Sequence, residues 1–345
     1  MSVIIGAARA ANAVIDSIRR HVAVRDEILR AAKERRDLVR DLAQKHPAAR
    51  SGYNSGSVAH GTANAPAERH RLRCRARSSK VLVLRPGRRR EAPAAMLESF
   101  RDWILPQLRE FDPSATCEIS KRALLFEFHQ PLTFEGGIVV DPSVDLIIGL
   151  DRRDAPGLWI PNTERPGWDP SDPQRHTELF VDTAQDLRVH RARVIRLAKV
   201  AIKNDGEHKA MCSFNIEALA LQLITETDPI AQALARFLIE ASAEIAAALT
   251  NDPAGVSGPI KLPDGITQDY AAQRLEQIGT IVHASVEVQS EPEARRILEG
   301  VFGPQIEEMR EQEAKPIDAR MRRGRSAIGA PLLSTSYRPG RSDGV

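Results

Sequence analysis

The sequence predicts an α+β fold, with a small mixed sheet in an N-terminal lobe and an all-helical C-terminal lobe. Three observations carry this expectation. A long helical pattern opens the chain, two short apolar runs at 123–128 and 144–150 have the length and flanking turns of strands, and most of the chain from residue 186 onward repeats apolar residues at three- and four-residue steps. At 345 residues with 42% hydrophobic content, the chain can bury one large core or two modest ones, and two lobes are expected. The expected division is 1–180 for the sheet-bearing lobe, 181–312 for the helical lobe and 313–345 for a disordered tail, since the stretch from about Lys315 is rich in Arg, Gly and Ser and lacks an apolar period.

Element by element, Ala10 to His46 reads as one long helix through Val14, Ile18, Val22, Ile28, Ala32, Val39 and Leu42, ended by Pro47. A turn of small residues follows, containing Ser55 to Thr62. Met96 to Phe111 resumes a helical pattern, with Pro106 as a possible kink, and the strand candidates Ala123–Phe128 and Val144–Leu150 come next. Leu158 to Pro173, rich in Pro, Asn and Asp, reads as an ordered loop pinned by Trp159 and Trp168. Helices are expected at Asp186–Lys203, after a Ser213 cap, after an Asp228 cap with Pro229 in the first turn, at Thr267–Val286 and at Ser290–Phe302.

The longest apolar stretch, Ile239 to Leu249, is interrupted by Glu240 and Glu244 and falls short of the ~20 residues that span a bilayer. The N-terminus lacks a basic n-region and a signal-peptide core, so a cytoplasmic chain with no membrane partner is expected. Cys74, Cys117 and Cys212 lack the paired spacing of zinc or disulfide frameworks and read as reduced, structural thiols. The formal charge is +3, but Ala67 to Arg90 alone holds nine Arg and Lys80 against Glu68, a local +9 that leaves the rest of the chain at −6. Outside one short segment the protein is acidic.

Four places combine residues suited to phosphate and metal chemistry. The Gly56-Ser57 turn can offer backbone N–H groups and a hydroxyl to phosphate oxygens, or be a plain turn. Asp145 stands in the apolar run Val-Asp-Leu-Ile-Ile, where a charge is costly unless it meets a metal or partner, or points to water from an edge strand. Asp141 reads as a turn residue. Arg196, Lys199 and Lys203 form a stripe on one helical face that can grip a triphosphate or be simply solvated, and Ser213 can contact phosphate or cap its helix.

The order of these pieces resembles the CD-NTase nucleotidyltransferases. This polymerase-beta-like family includes bacterial cyclic-dinucleotide and cyclic-trinucleotide synthases of anti-phage signalling, animal cyclic GMP-AMP synthase and oligoadenylate synthase. The matching elements are the long first helix, GSVAHGT at Gly56–Thr62, VDLIIGL at Val144–Leu150, LWIP with the later Trp168 and DPQRH, IRLAKVAIK at Ile195–Lys203 and SFNIEALAL at Ser213–Leu221, so the resemblance runs from about Val22 to Leu249. It implies transfer of a nucleoside monophosphate from a triphosphate of the ATP or GTP class to a hydroxyl of a second nucleotide, with Mg²⁺ as cofactor. The product would be a cyclic or linear oligonucleotide, read by a downstream nucleotide-activated effector. Gly56 and Ser57 would bind the donor triphosphate, Asp145 would be a metal ligand and the base for the acceptor hydroxyl, and Lys199, Lys203 and Ser213 would contact the triphosphate.

The family also carries an Asp-x-Asp pair on the strand after the Gly-Ser turn, because two metals need bridging carboxylates. From Ala65 to Pro93 this chain contains no Asp, and nine Arg between Ala67 and Arg90 make a poor buried strand. Strongly reduced or absent turnover is therefore expected. A reading-frame shift accounts for the loss: with permitted codon choices, the stretch from Ala67 reads one base later as LNDTDCDAGLVVRRSWSYGPDGDG, which holds an Asp pair, an apolar strand and a turn. Two other readings stay open. One is a pseudoenzyme that binds nucleotide with Arg69 to Arg90 as a surface insert. The other is a module whose alternating Arg69, Arg71, Arg73, Arg75 and Arg77 contact nucleic acid, although nucleic acid is not the expected partner.

Overall fold

The computed structural model describes residues 2–65, 77–84, 92–134, 138–153, 155–164, 167–206 and 209–314. Within them the chain forms, in order, α1 (Ser2–His21), α2 (Asp26–Gln44), β1 (Ala49–Ser55), α3 (Gly56–His60), β2 (Arg77–Leu84), α4 (Pro93–Phe111), β3 (Thr116–Ile119) and β4 (Leu124–Glu127). There follow β5 (Leu132–Phe134), β6 (Ile138–Val140), β7 (Ser143–Asp151), β8 (Leu158–Pro161), β9 (Trp168–Ser171), α5 (Pro173–Val181) and α6 (Gln185–Asn204). The helices α7 (Ser213–Leu223), α8 (Ile230–Ala247), α9 (Gln268–Glu287) and α10 (Glu291–Ala314) complete the described chain.

The main sheet runs β1-β2-β7-β4-β3, with β8 and β9 continuing from one end of β7. It is mixed, as the sequence predicts: β2 lies parallel to β7, and β1, β4 and β8 pair antiparallel with their neighbours. Strand alternation divides β7 between two faces. Val144, Leu146, Ile148 and Leu150 enter a core closed by Val39 and Leu42 of α2 and by Met96, Leu97, Phe100, Ile104 and Leu108 of α4. Asp145 and Ile147 fall on the other face, where Ile147 packs with Val81, Val83, Leu158 and Ile160. Gly149 lets β8 approach: a Cβ there would come within 2.6 Å of a Leu158 methyl carbon.

Several expectations change. The long first helix is two, because the backbone at Val22 and Ala23 pairs with 64–65 instead of continuing the helix: Ala65 N–H donates to the Val22 carbonyl at 2.9 Å and Ala23 bridges Asn64. The first half, α1, then packs Ala11, Val14, Ile15 and Ile18 into the core of α6 to α10, with Val22 just after it, so the two cores do not divide the chain at a single point near 180. The Trp-pinned loop is an antiparallel pair of strands, β8 with β9; Pro170 is tolerated because β9 lies at the sheet's end. The helix α4 runs through Pro106.

The basic segment also departs from expectation. Its last apolar run, Val81-Leu82-Val83, is buried and places β2 between β1 and β7, so this part is not a surface insert. The rest of the segment, 66–76 and 85–91, lies outside the described residues, as does the expected tail from 315.

Helix caps shift by one residue. Cys212, not Ser213, precedes α7, and its thiol donates to Asn215 Oδ1 at 2.8 Å, which leaves Ser213 exposed as the first helical residue. Pro229 precedes α8, and Asp228 instead pairs with Arg236 at 2.6 Å. The amide of Ala231 is satisfied from another helix: Asn12 Oδ1 on α1 accepts it at 2.8 Å. Cys117 is a structural thiol, pushed up to about 12 chiefly by burial. No helix among the described residues is long and apolar enough to cross a membrane.

Candidate functional site

Gly56 opens α3 with φ +74°, a left-handed conformation that glycine adopts at little cost, after the extended Ser55. Gly61 closes the helix at φ +72°, and the amides of Gly61 and Thr62 both donate to the Ser57 carbonyl, the latter at 2.8 Å. The Gly56-Ser57 turn is therefore fixed by the residues just after it.

Those residues enter a buried polar cluster centred on Glu217 of α7. Glu217 Oε2 lies 2.9 Å from His60 Nδ1, Glu217 Oε1 lies 2.6 Å from Lys199 Nζ, and the Thr62 hydroxyl donates to Oε1 as well. Lys199 Nζ also donates to Thr62 Oγ1 at 3.1 Å and to the Thr62 carbonyl at 3.3 Å. On the far side of the imidazole, Nε2 meets Thr177 Oγ1 at 3.1 Å, while the ring stacks on Phe180 of α5 with centroids 4.8 Å apart. Burial alone would raise the Glu217 carboxyl. The hydrogen bond from His60 and the charge of Lys199 outweigh it and hold the group down at about 2. An ionised carboxylate at 7% exposure is stable only with such partners.

The cluster brings three candidate elements to one point. His60 is three residues from Ser57 on α3, Lys199 is four from Lys203 on α6, and Glu217 is four from Ser213 on α7. Residues at that spacing share a helix face. Ser57, Lys203 and Ser213 therefore each stand one turn from the same buried joint, and Lys203 and Ser213 are exposed. Lys199 itself is turned inward, its side chain 10% exposed. Arg196 is half-buried, and its Nε donates to the Ala192 carbonyl of its own helix at 3.4 Å.

Asp145 lies on the central strand, not on an edge, and is partly exposed. Its register partners are Ser79 on β2 and Leu125 on β4. Asp141 lies in the connection between β6 and β7 and is buried against Arg35, whose Nη1 donates to it at 2.5 Å and to the Pro142 carbonyl at 2.8 Å. A magnesium pair needs several carboxylates around Asp145. The strand beside it reads Arg-Ser-Ser-Lys-Val-Leu-Val-Leu from Arg77 to Leu84, and among the described residues no group of three or more His, Cys, Asp or Glu is placed to hold a metal ion. The described residues do not fit a two-magnesium centre. The Asp pair of the shifted reading frame would lie within 66–76, outside the described residues.

With this geometry in view, several solved structures are similar to the chain over most of its length. The Bradyrhizobium diazoefficiens CD-NTase CdnG, solved with GTP, aligns over 85% of this chain and 96% of its own at TM-score 0.62 and 13% identity. Escherichia coli MS115-1 CdnC with ATP aligns over 84% and 98% at TM-score 0.59 and 16% identity. The chain has a CD-NTase-like fold. Vibrio cholerae DncV, a cyclic AMP-GMP synthase, agrees over 83% of this chain and 92% of its own at TM-score 0.60 and 14% identity. No protein-family model matches the chain, and neither does any curated protein. The CD-NTase-like fold was thus legible in the order of motifs. The buried Glu217 joint does not follow from the order of motifs; its one signal in the sequence is that Glu217 is the lone charge in the SFNIEALAL string.

Proposed function

We propose that this protein binds a nucleoside triphosphate of the ATP or GTP class between α3, α6 and α7, and that the chain as it stands transfers a nucleotidyl group very slowly or not at all. The observation that carries the reading is the convergence of Ser57, Lys203 and Ser213 around one buried joint. It occurs in a CD-NTase-like fold, and CdnG and CdnC were solved with GTP and ATP. The Gly56-Ser57 turn supplies backbone amides and a hydroxyl, Lys203 a positive charge and Ser213 a second hydroxyl, a donor set suited to phosphate oxygens.

The transfer reaction of such a fold joins a nucleoside monophosphate to a hydroxyl of a second nucleotide and releases pyrophosphate, giving a linear or cyclic oligonucleotide for a downstream effector. To Asp145 we assign the part of taking a proton from that hydroxyl. Among the described residues, no group of carboxylates stands with it to bridge a metal pair. Titration calorimetry with ATP and GTP tests the binding half: saturable binding that weakens in K203M and S213A is expected, and no binding at millimolar nucleotide would refute it. Incubation with Mg²⁺ and mixed triphosphates, followed by mass analysis, tests the other half. Abundant oligonucleotide from this chain would refute the loss of turnover.

A further inference from the structure

Lys199 is the cation that the motif order assigns to the triphosphate, yet its three N–H groups already have three acceptors: Glu217 Oε1, Thr62 Oγ1 and the Thr62 carbonyl. Glu217 in turn accepts from His60, Thr62 and Lys199. Moving the ammonium to a phosphate would strip the adjacent cation from a buried carboxylate, a change that destabilises strongly. Thr62, fully buried, is also the residue whose amide donates to the Ser57 carbonyl. The path from Glu217 through Thr62 to Ser57 is two hydrogen bonds long.

Resting on the nucleotide-binding reading above, we propose that Glu217 is a positioning residue that locks the Gly56-Ser57 turn onto α6 and α7, and that Lys199 is its buried counter-ion and not a ligand of the triphosphate. Direct charge contact with phosphate then falls to exposed Lys203. His60 completes the lock from the other side, because its ring ties Glu217 to Thr177 and Phe180 of α5. The turn is thereby set against three helices before any nucleotide arrives.

The two roles for Lys199 predict opposite signs for one substitution. If Lys199 grips phosphate, Glu217→Gln releases it from its counter-ion, and ATP should bind as well or better. If Glu217 positions the turn, E217Q should weaken ATP binding about tenfold, K199M should do about the same, and the double variant should be little worse than either, as residues of one unit are strongly non-additive. Hydrogen exchange in nucleotide-free protein gives a readout that does not depend on binding: the Gly61 and Thr62 amides should exchange about tenfold faster in E217Q, with α8 amides unchanged as the internal reference.

E217Q binding ATP at least as tightly as the wild type, while K199M loses it, overturns the proposal. So does unchanged exchange at Gly61 and Thr62. Should wild-type protein bind no triphosphate, the nucleotide reading fails and the exchange comparison alone decides the joint. If E217Q does not fold, Thr62→Val keeps the ion pair and removes the hydroxyl link. Faster exchange at Gly61 and at residue 62 with weaker ATP binding then supports the proposal, and wild-type values overturn it.

Discussion

Replacing Glu217 by Gln should change how stability depends on pH. The carboxyl is held at about 2 against an ordinary value of 4.5, because the His60 hydrogen bond and the Lys199 charge outweigh burial. A lowered pKa in the folded state stabilises the fold above the unfolded value and ceases to do so as the pH falls through the folded one. The contribution is thus complete above about pH 4.5 and is lost progressively down to about pH 2. At 1.36 kcal/mol per unit, a gap of about two and a half units corresponds to roughly 3 kcal/mol. Urea unfolding followed by tryptophan fluorescence, run in parallel on wild type and E217Q from neutral pH to about pH 3, reads the difference directly. The wild type should be more stable by roughly 3 kcal/mol near neutrality, and the gap should shrink as the acid limit is approached. A gap that stays constant over the whole range would refute the argument, since a loss of packing alone does not titrate.

Other outcomes follow from the packing and the charge distribution. Asn12→Ala removes the acceptor for the Ala231 amide at the start of α8 and should cost about 1 kcal/mol in urea unfolding. Phe126→Ala empties a fully buried site in the core under the sheet and should cost roughly 3–5 kcal/mol, enough to lower the yield of folded protein. Should the segment from Ala67 to Arg90 act on nucleic acid instead, binding to duplex DNA or RNA would fall steeply with salt and vanish when its arginines are replaced. Salt-insensitive or absent binding is the expected result.

Much of the architecture could be read from period and punctuation. The two-residue alternation of β7 and the helical steps of α6 to α9 are local properties of the chain, and they appear where the sequence places them. What escaped was set by distant partners. The break at Val22–Arg25 exists because Ala65 donates to Val22 across the fold, and the cap of α8 comes from Asn12, 219 residues earlier. The pairing of β8 and β9 was hidden by Pro161 and Pro170, residues disfavoured in strands except toward a sheet's edge. At the candidate site, Ser57, Lys203 and Ser213 were visible as types at suggestive spacings. The inward turn of Lys199 was not, because nothing in a helical stripe says which of its cations will meet a buried carboxylate 18 residues later.

The strand beside Asp145 gives a way to separate a broken copy from a pseudoenzyme. Ser79 is the register partner of Asp145 in a parallel pair, and neighbouring strands lie about 4.8 Å apart. Ser79→Asp would put a second carboxylate at that position, close enough for the two to repel unless a cation sits between them. S79D should therefore gain a Mg²⁺-dependent rise in melting temperature that the wild type lacks, yet make little product, since one added carboxylate is not an Asp-x-Asp pair. A chain rebuilt with the shifted reading of 67–90 tests the other origin. If it forms oligonucleotides from mixed triphosphates where the present chain does not, the fold was made for transfer and the arginine-rich stretch interrupts it. If it forms none although it folds and binds ATP, the frame explanation fails and a nucleotide-binding pseudoenzyme remains. An independent read of the DNA across these codons bears on the same choice. A confirmed present frame, with no shifted Asp codons in a second isolate, would place the loss of the carboxylate pair in the protein and not in its record.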